Sequence, residues 1–114
     1  MPYALFTDPE LGRIGINESQ AEALGIKSRV ARLPMTAVPR ARTNGTTRGF
    51  MKALVAPDSG RILGFTMVGS GAGEVTSVVQ MAMLGGLHYT AIRDAIIAHP
   101  LLAEGLNLLF ATLD

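Results

Sequence analysis

The 114-residue sequence contains no cysteine and no tryptophan, and its aromatic residues are limited to four phenylalanines and two tyrosines. Without cysteine the chain can form no disulfide, offer no thiolate nucleophile and give no thiolate ligand to a metal. Thiol redox chemistry by its own side chains is therefore excluded. The two histidines, His88 and His99, match no zinc-binding spacing, so we predict that the chain holds no metal.

Long hydrophobic runs are also absent. No apolar stretch approaches the roughly 18 residues of a membrane-spanning helix, and the N-terminus lacks a basic flank followed by an apolar signal segment. Hydrophobic residues still make up 48% of the chain, which is enough for one core. We expect a single domain covering residues 1–114, with no membrane partner and a cytoplasmic location.

Acidic residues are missing from one long segment, the stretch between Ala23 and Pro57. Its seven basic residues are Lys27, Arg29, Arg32, Arg40, Arg42, Arg48 and Lys52. Such a segment can bind an anion or a nucleic acid. Because Phe50 is the only aromatic ring among these cations, and nucleic-acid binders interleave more of them, we predict no nucleic-acid partner. Binding of an anion through Arg29 to Lys52 remains an alternative.

Turn residues divide much of the chain into short segments typical of β-strands. The predicted strands are Tyr3–Phe6, Gly12–Ile16, Ile26–Leu33, Gly49–Ala56 and Arg61–Val68. Pro57 and Gly60 bracket a turn that joins the last two strands as a hairpin. Gly64, inside the last strand, predicts a bulge or a close approach of two backbone segments. The longest irregular connection is expected between Pro34 and Gly45.

Helices are predicted at four places. Asn17 can cap the first, with Gln20 reaching back as in a capping box, and Gly25 ends it. The other three are a helix over Glu74–Leu84, a short helix capped by Thr90 that runs to Ile97, and a last helix from Leu101 to about Leu113. Strands that precede helices in this order predict an α+β fold, in which an antiparallel β-sheet has helices packed on one side.

A glycine-rich turn precedes the second predicted helix. Gly69 and Gly71 begin a G-x-G pattern after a strand, as in dinucleotide-binding folds. The third glycine of that pattern is replaced by Glu74, whose charge would repel a pyrophosphate. We therefore interpret the segment as a strand-to-helix turn, with Glu74 in the favourable first turn of the helix.

The helix over Glu74–Leu84 has more apolar surface than one contact can bury. Val75 and Val79 form a stripe at helical spacing, while Met81 and Leu84 extend the apolar surface to further faces. A chain of this size has little with which to cover a second face. A partner subunit is the predicted cover, and we expect a homodimer formed through this helix.

The segment His99-Pro100, followed by Glu104, places an imidazole and a carboxylate at the start of a leucine-rich helix. Pro100 suits the first helical position, which makes His99 a candidate cap. Histidine changes charge near neutral pH, and an adjacent carboxylate can hold its tautomer. Because a half-buried carboxylate needs a partner, Glu104 is expected to pair with His99. The pair is either an acid–base pair or a capping histidine beside a solvated glutamate.

Several short motifs, in this order and spacing, resemble one known family. They are Phe6–Glu10, Arg48–Lys52, Ile62–Gly64, Ala72–Glu74 and His99-Pro100 with Glu104. Together they resemble the C-terminal dimerisation domain of FAD-dependent pyridine nucleotide-disulfide oxidoreductases, the superfamily of glutathione reductase, dihydrolipoamide dehydrogenase and mercuric reductase. The resemblance covers Pro2 to Leu113.

This resemblance implies a homodimer and a longer parent flavoenzyme, of which the chain is a fragment. Preceding domains of the parent would bind FAD and NAD(P)H, and no cofactor is expected in this chain. The resemblance assigns His99 and Glu104 as the catalytic pair, and it places His99 and Pro100 next to the partner subunit's FAD and dithiol. Leu101 departs from the small hydroxylated residue common at this position. An autonomous homodimeric module that binds an anion through Arg29–Lys52 is the alternative function.

Overall fold

A computed structural model gives the fold and describes residues 3–5, 11–37, 49–69, 71–94 and 105–113. The strands are β1 (Tyr3–Leu5), β2 (Leu11–Gly15), β3 (Arg29–Pro34), β4 (Phe50–Val55) and β5 (Ile62–Val68). The helices are α1 (Glu18–Ala23), α2 (Ala72–Leu84), α3 (Tyr89–Arg93) and α4 (Gly105–Ala111), and a 3₁₀ turn spans Met35–Ala37.

The strands of the described residues form one antiparallel sheet in the order β1-β2-β5-β4-β3. The predicted hairpin is present, because β4 and β5 pair through the turn at 57–59. α2 lies over β2 and β5, α4 lies over β3 and β4, and α3 packs against α4. The prediction of an α+β fold with an antiparallel sheet is confirmed, and α2, α3 and α4 lie on one side of the sheet, whereas α1 lies on the other.

The core lies between these three helices and one face of the sheet. Ile14, Phe65, Ala53 and Ala31 are successive register partners across four strands, and all four are buried. Since side chains alternate between the two faces of a strand, their neighbours in sequence face the other way. The core face is apolar apart from Arg29 at its edge, and the opposite face carries Arg13, Arg32 and Lys52.

The short helix α1 lies on that opposite face. Its predicted capping box is present: the Asn17 carboxamide oxygen accepts from the Gln20 amide at 2.8 Å, and the Gln20 side chain accepts from the Asn17 amide at 2.9 Å. The backbone at Ile16, just before α1, passes over Gly64, where an added Cβ would lie 1.9 Å from the Ile16 carbonyl oxygen. The close backbone approach predicted at Gly64 is therefore confirmed.

Some predicted boundaries are wrong, and α2 begins at Ala72 rather than Glu74. The third strand begins at Arg29 rather than Ile26, because the Ile26 amide bonds to the Ala21 carbonyl at 2.9 Å and so completes the end of α1. The cap of α3 is His88 rather than Thr90, since the His88 imidazole accepts from the Thr90 amide. That helix ends at Arg93, and the rest of its predicted length lies outside the described residues.

Candidate functional site

The predicted site residues His99, Pro100 and Glu104 lie outside the described residues. The structure describes both flanks of the segment that carries them. On one side α3 ends at its C-cap Asp94, and on the other α4 begins at Gly105, the residue after Glu104. The structure therefore shows the end of α3 and the start of α4, which flank residues 95–104, and we call these two helix ends the frame.

One side chain, that of Asn107, joins the two flanks. Its Nδ2 atom donates to the carbonyl oxygen of Ile92 at 2.7 Å and lies 3.2 Å from that of Arg93. Carbonyls in the last turn of a helix have no partner within the helix, so a side-chain donor satisfies them. Asn107 thus ties the first turn of α4 to the end of α3. The segment 95–104 begins and ends at this braced corner.

The sequence singles out Asn107 only as a polar residue in a leucine-rich helix. Its partners lie 14 and 15 residues earlier in the chain, so no local pattern predicts them. It is the residue of this frame that sequence reasoning missed.

The α4 side of the frame is rigidly held by the core. Leu106, Leu109 and Phe110 are fully buried, and Gly105 is buried as well. Leu106 and Leu109, three residues apart, thus form a buried stripe on this helix. Because interiors are close-packed, a helix with these anchors cannot shift without opening a void. Residue 105 is accordingly a fixed point, and it directly follows Glu104, which carries the predicted carboxylate.

The α3 side is anchored by an aromatic cluster. The Tyr89 ring lies 6.1 Å from that of Phe110 and stacks on His88 at 4.8 Å. The Arg93 guanidinium carbon lies 5.9 Å from the centre of the Tyr89 ring, within the range of a cation–π contact. His88 is exposed and also covers Gly60. Its role in the structure is to begin and support α3.

Removal of the Asn107 brace is expected to loosen the corner. Asn107→Ala removes two hydrogen bonds to half-buried carbonyls, and we expect a loss of about 1–2 kcal/mol in the free energy of unfolding. Urea denaturation measures this loss. The amide of Asp94, at the end of α3, should also exchange faster with solvent. Ser77→Ala, which removes an exposed hydroxyl, is the control and should change stability by less than about 0.5 kcal/mol. Equal losses in the two variants would contradict a brace at Asn107.

The surplus apolar surface predicted on α2 is present. Val75 and Val79 are buried against the sheet, whereas Met81 is 70% exposed and Leu84 is 75% exposed. Val78, three residues before Met81, adds exposed apolar area on that side of the helix, and Leu87, which follows the end of α2, is exposed as well. We call these four side chains, Val78, Met81, Leu84 and Leu87, the α2 outer face. Apolar side chains grouped in this way are typical of a protein–protein contact.

The basic segment is partly engaged within the domain. Lys52 and Arg32 bind the Glu18 carboxylate at 2.6 and 3.1 Å, and the Arg29 side chain donates to the Leu113 carbonyl. The hydrogen bond from Lys52, followed by the charges of Lys52 and Arg32, holds the pKa of Glu18 below its usual value. The remaining arginines, at positions 40, 42 and 48, lie outside the described residues. These contacts give Arg29, Arg32 and Lys52 a structural role.

The glycine-rich turn has the form expected of a strand-to-helix connection. α2 begins at Ala72, Gly71 adopts a positive φ of 79° as its cap, and Glu74 lies exposed in the first turn.

In the described ranges, no three histidine, aspartate or glutamate side chains gather as metal ligands would. None of the helices in those ranges is long and apolar enough to cross a membrane.

Comparison with known proteins extends this description. A sequence model of the pyridine nucleotide-disulphide oxidoreductase dimerisation domain matches residues 1–109. The probable pyridine nucleotide-disulfide oxidoreductase RclA of Escherichia coli K12 is 40% identical over 111 residues, which cover 97% of this chain and 25% of that protein. A mercuric reductase of Shigella flexneri is 34% identical over 114 residues, all of this chain and 20% of that protein.

The solved structures agree. The HOCl-induced flavoprotein disulfide reductase RclA from Escherichia coli superposes with a TM-score of 0.96 at 39% identity, over 100% of this chain and 26% of that one. The chain thus spans a fifth to a quarter of the length of these relatives. The sequence match and the matching fold agree over nearly the whole chain, which therefore belongs to the dimerisation-domain family of the pyridine nucleotide-disulphide oxidoreductases.

Proposed function

We propose that this chain is the dimerisation domain of an FAD- and NAD(P)H-dependent disulfide oxidoreductase, and that residues 1–114 are a fragment of that longer enzyme. The family match over residues 1–109 carries the proposal. The sequence lacks cysteine, so the reducible dithiol must come from elsewhere in the enzyme. In the proposal, the FAD- and NAD(P)-binding domains of the parent chain are its covalent partners, and the parent is a cytoplasmic enzyme.

In the proposal, FAD binds to other domains of the parent enzyme, and two features of the described residues support this. A dinucleotide site presents free helix N–H groups and glycines to the pyrophosphate. Here the first turn of α2 carries the Glu74 carboxylate. The space above Gly12 is already occupied by α2, since a Cβ added to Gly12 would lie 2.6 Å from the Ala72 carbonyl oxygen. The proposal therefore assigns FAD to the other domains. The contribution of this chain to catalysis comes from its own side chains.

That contribution is proton transfer by His99, with Glu104 holding the imidazole. Both residues belong to a segment whose two flanks are joined by Asn107 and set into the core, which suits a side chain that must be presented at a fixed position. Pro100 restricts the backbone next to the imidazole. In the proposal, His99 and Pro100 reach the partner subunit's flavin and dithiol site, so the pair completes a site only in the homodimer.

The homodimer is expected to form through the α2 outer face. At micromolar concentration the purified chain should sediment as a dimer in analytical ultracentrifugation. Each methionine or leucine side chain buried in an interface contributes about 1.5–3 kcal/mol. Met81→Glu combined with Leu84→Glu should therefore raise the dimer dissociation constant by at least about tenfold, a change that corresponds to 1.4 kcal/mol.

The matched control is Leu24→Glu, which alters a leucine that is 66% exposed at the end of α1, on the other face of the sheet. It should leave the dissociation constant unchanged. A wild-type chain that is monomeric at micromolar concentration would contradict the proposal, and so would equal weakening by Leu24→Glu. Added FAD should remain unbound in the same experiment, because the proposal places its site in other domains.

A further inference from the structure

The face of the sheet that carries α1 holds a row of cations that the proposed function does not use. Arg13 on β2 pairs with Thr66 on β5, Thr66 pairs with Lys52 on β4, and Lys52 pairs with Arg32 on β3. These residues alternate with core residues, so their side chains lie on the α1 face. Arg13 and Lys52 are two strands apart, about 10 Å between their backbones, with the Thr66 hydroxyl between them.

The charges of this row are not balanced by the described residues. Glu18 binds Lys52 at 2.6 Å and Arg32 at 3.1 Å, so one carboxylate faces two cations on that side. Arg13 lies on the other side of the row. Its Nη2 atom is buried and has no hydrogen-bond acceptor within the described part of the chain. No carboxylate of the described residues pairs with this guanidinium, and an oxyanion is the partner that suits it best.

A cavity of about 240 Å³ opens at this position. Its polar lining consists of Arg13, Asn17, Glu18, Ser19, Lys52 and Thr66. A water molecule occupies about 30 Å³ of liquid, so the space admits a phosphate-sized anion with several waters. The lining supplies a guanidinium, an ammonium, two hydroxyls and an amide. Glu18 is the one anionic group of this lining, and its charge is already opposed by Lys52 and Arg32.

We propose that this cavity binds a phosphate-sized oxyanion, with Arg13 as the principal ligand and Thr66 and Lys52 as supporting donors. The planar guanidinium can give two parallel hydrogen bonds to such an anion, which an ammonium cannot. The site is independent of the dimerisation function, because it lies on the opposite face of the sheet from the α2 outer face. It also differs from the anion site expected from sequence, since Arg13 precedes the basic segment.

The test is a titration of the ¹⁵N-labelled chain with inorganic phosphate, followed by NMR, at an ionic strength held constant with sodium chloride. The amide of Thr66 and the side-chain signal of Arg13 should shift saturably, with a dissociation constant on the order of 1 mM. Arg13→Gln should weaken phosphate binding at least about tenfold. Arg13→Lys should weaken binding less, because lysine keeps the positive charge and loses only the pair of parallel hydrogen bonds that a guanidinium can give. Arg61→Gln, which removes an exposed arginine outside the cavity, should leave the affinity unchanged.

Circular dichroism of each variant shows whether it folds. If Arg13→Gln does not fold, Thr66→Val provides the second variant, since it keeps the side-chain shape and removes one donor; it should weaken binding about threefold or more. Shifts that do not saturate, or that are the same in Arg13→Gln and Arg61→Gln, would overturn the site and leave only general attraction of anions to a basic surface. Loss of phosphate binding with an intact dimer would confirm that the two surfaces are separate.

Discussion

Replacing His99 with alanine is expected to lower the turnover of the full-length enzyme about 100-fold or more, which is the usual scale of general acid–base catalysis. Alanine can neither take up nor release a proton. His99→Gln should be about as slow, because the amide keeps much of the side-chain size without a titratable group. The measurement is steady-state disulfide reduction across pH, where both variants should lose the ionisation that the imidazole contributes to kcat/KM.

The other histidine provides the matched control. His88 caps α3 through its imidazole, and asparagine is among the best capping residues, so His88→Asn keeps the cap. This variant should retain turnover to within about twofold. If His99→Ala instead lowered the melting temperature and left turnover unchanged, the histidine would be a structural cap. A His99→Gln variant that dimerises like the wild type and has normal turnover would also exclude proton transfer by this residue.

Replacing Gly12 with alanine is expected to destabilise the domain by about 3 kcal/mol, the upper range for overpacking a core. Gly12 lies on β2 directly beneath α2. An added Cβ would lie 2.2 Å from the Thr76 hydroxyl and 2.6 Å from the Ala72 carbonyl oxygen. The Thr76 side chain can turn away, but the second contact is helix backbone, so α2 itself must move off the sheet. Urea denaturation measures the loss.

Gly85→Ala is the matched control, because it adds the same methyl group at a site with room for it. Gly85 has a negative φ of −79°, and the nearest atom to its added Cβ is 3.5 Å away. This substitution should change stability by less than about 0.5 kcal/mol. Since the displaced α2 also carries the α2 outer face, Gly12→Ala should weaken the dimer as well. Equal stability of the two variants would show that α2 can adjust over β2 without cost.

Much of the fold is predictable because its signals are local. The Asn17 cap and its partner Gln20 are three residues apart, and the β4–β5 turn is set by the conformational preferences of Pro57 and Gly60. The wrong boundaries are local competitions as well. Ile26 has a side chain that favours a strand, but its backbone amide completes the end of α1. His88 rather than Thr90 caps α3, because an imidazole nitrogen can also accept a hydrogen bond from a backbone amide.

The sequence by itself therefore determined the elements, the apolar excess of α2, the absence of thiol chemistry and the resemblance to a family. The tertiary structure decided which distant residues meet. It placed Gly12 beneath α2, joined Asn107 to the end of α3, and aligned Arg13 with Lys52 across β5. The physical reason is that turn and cap preferences act over three or four residues, whereas sheet register and helix docking are set by burying the whole core at once.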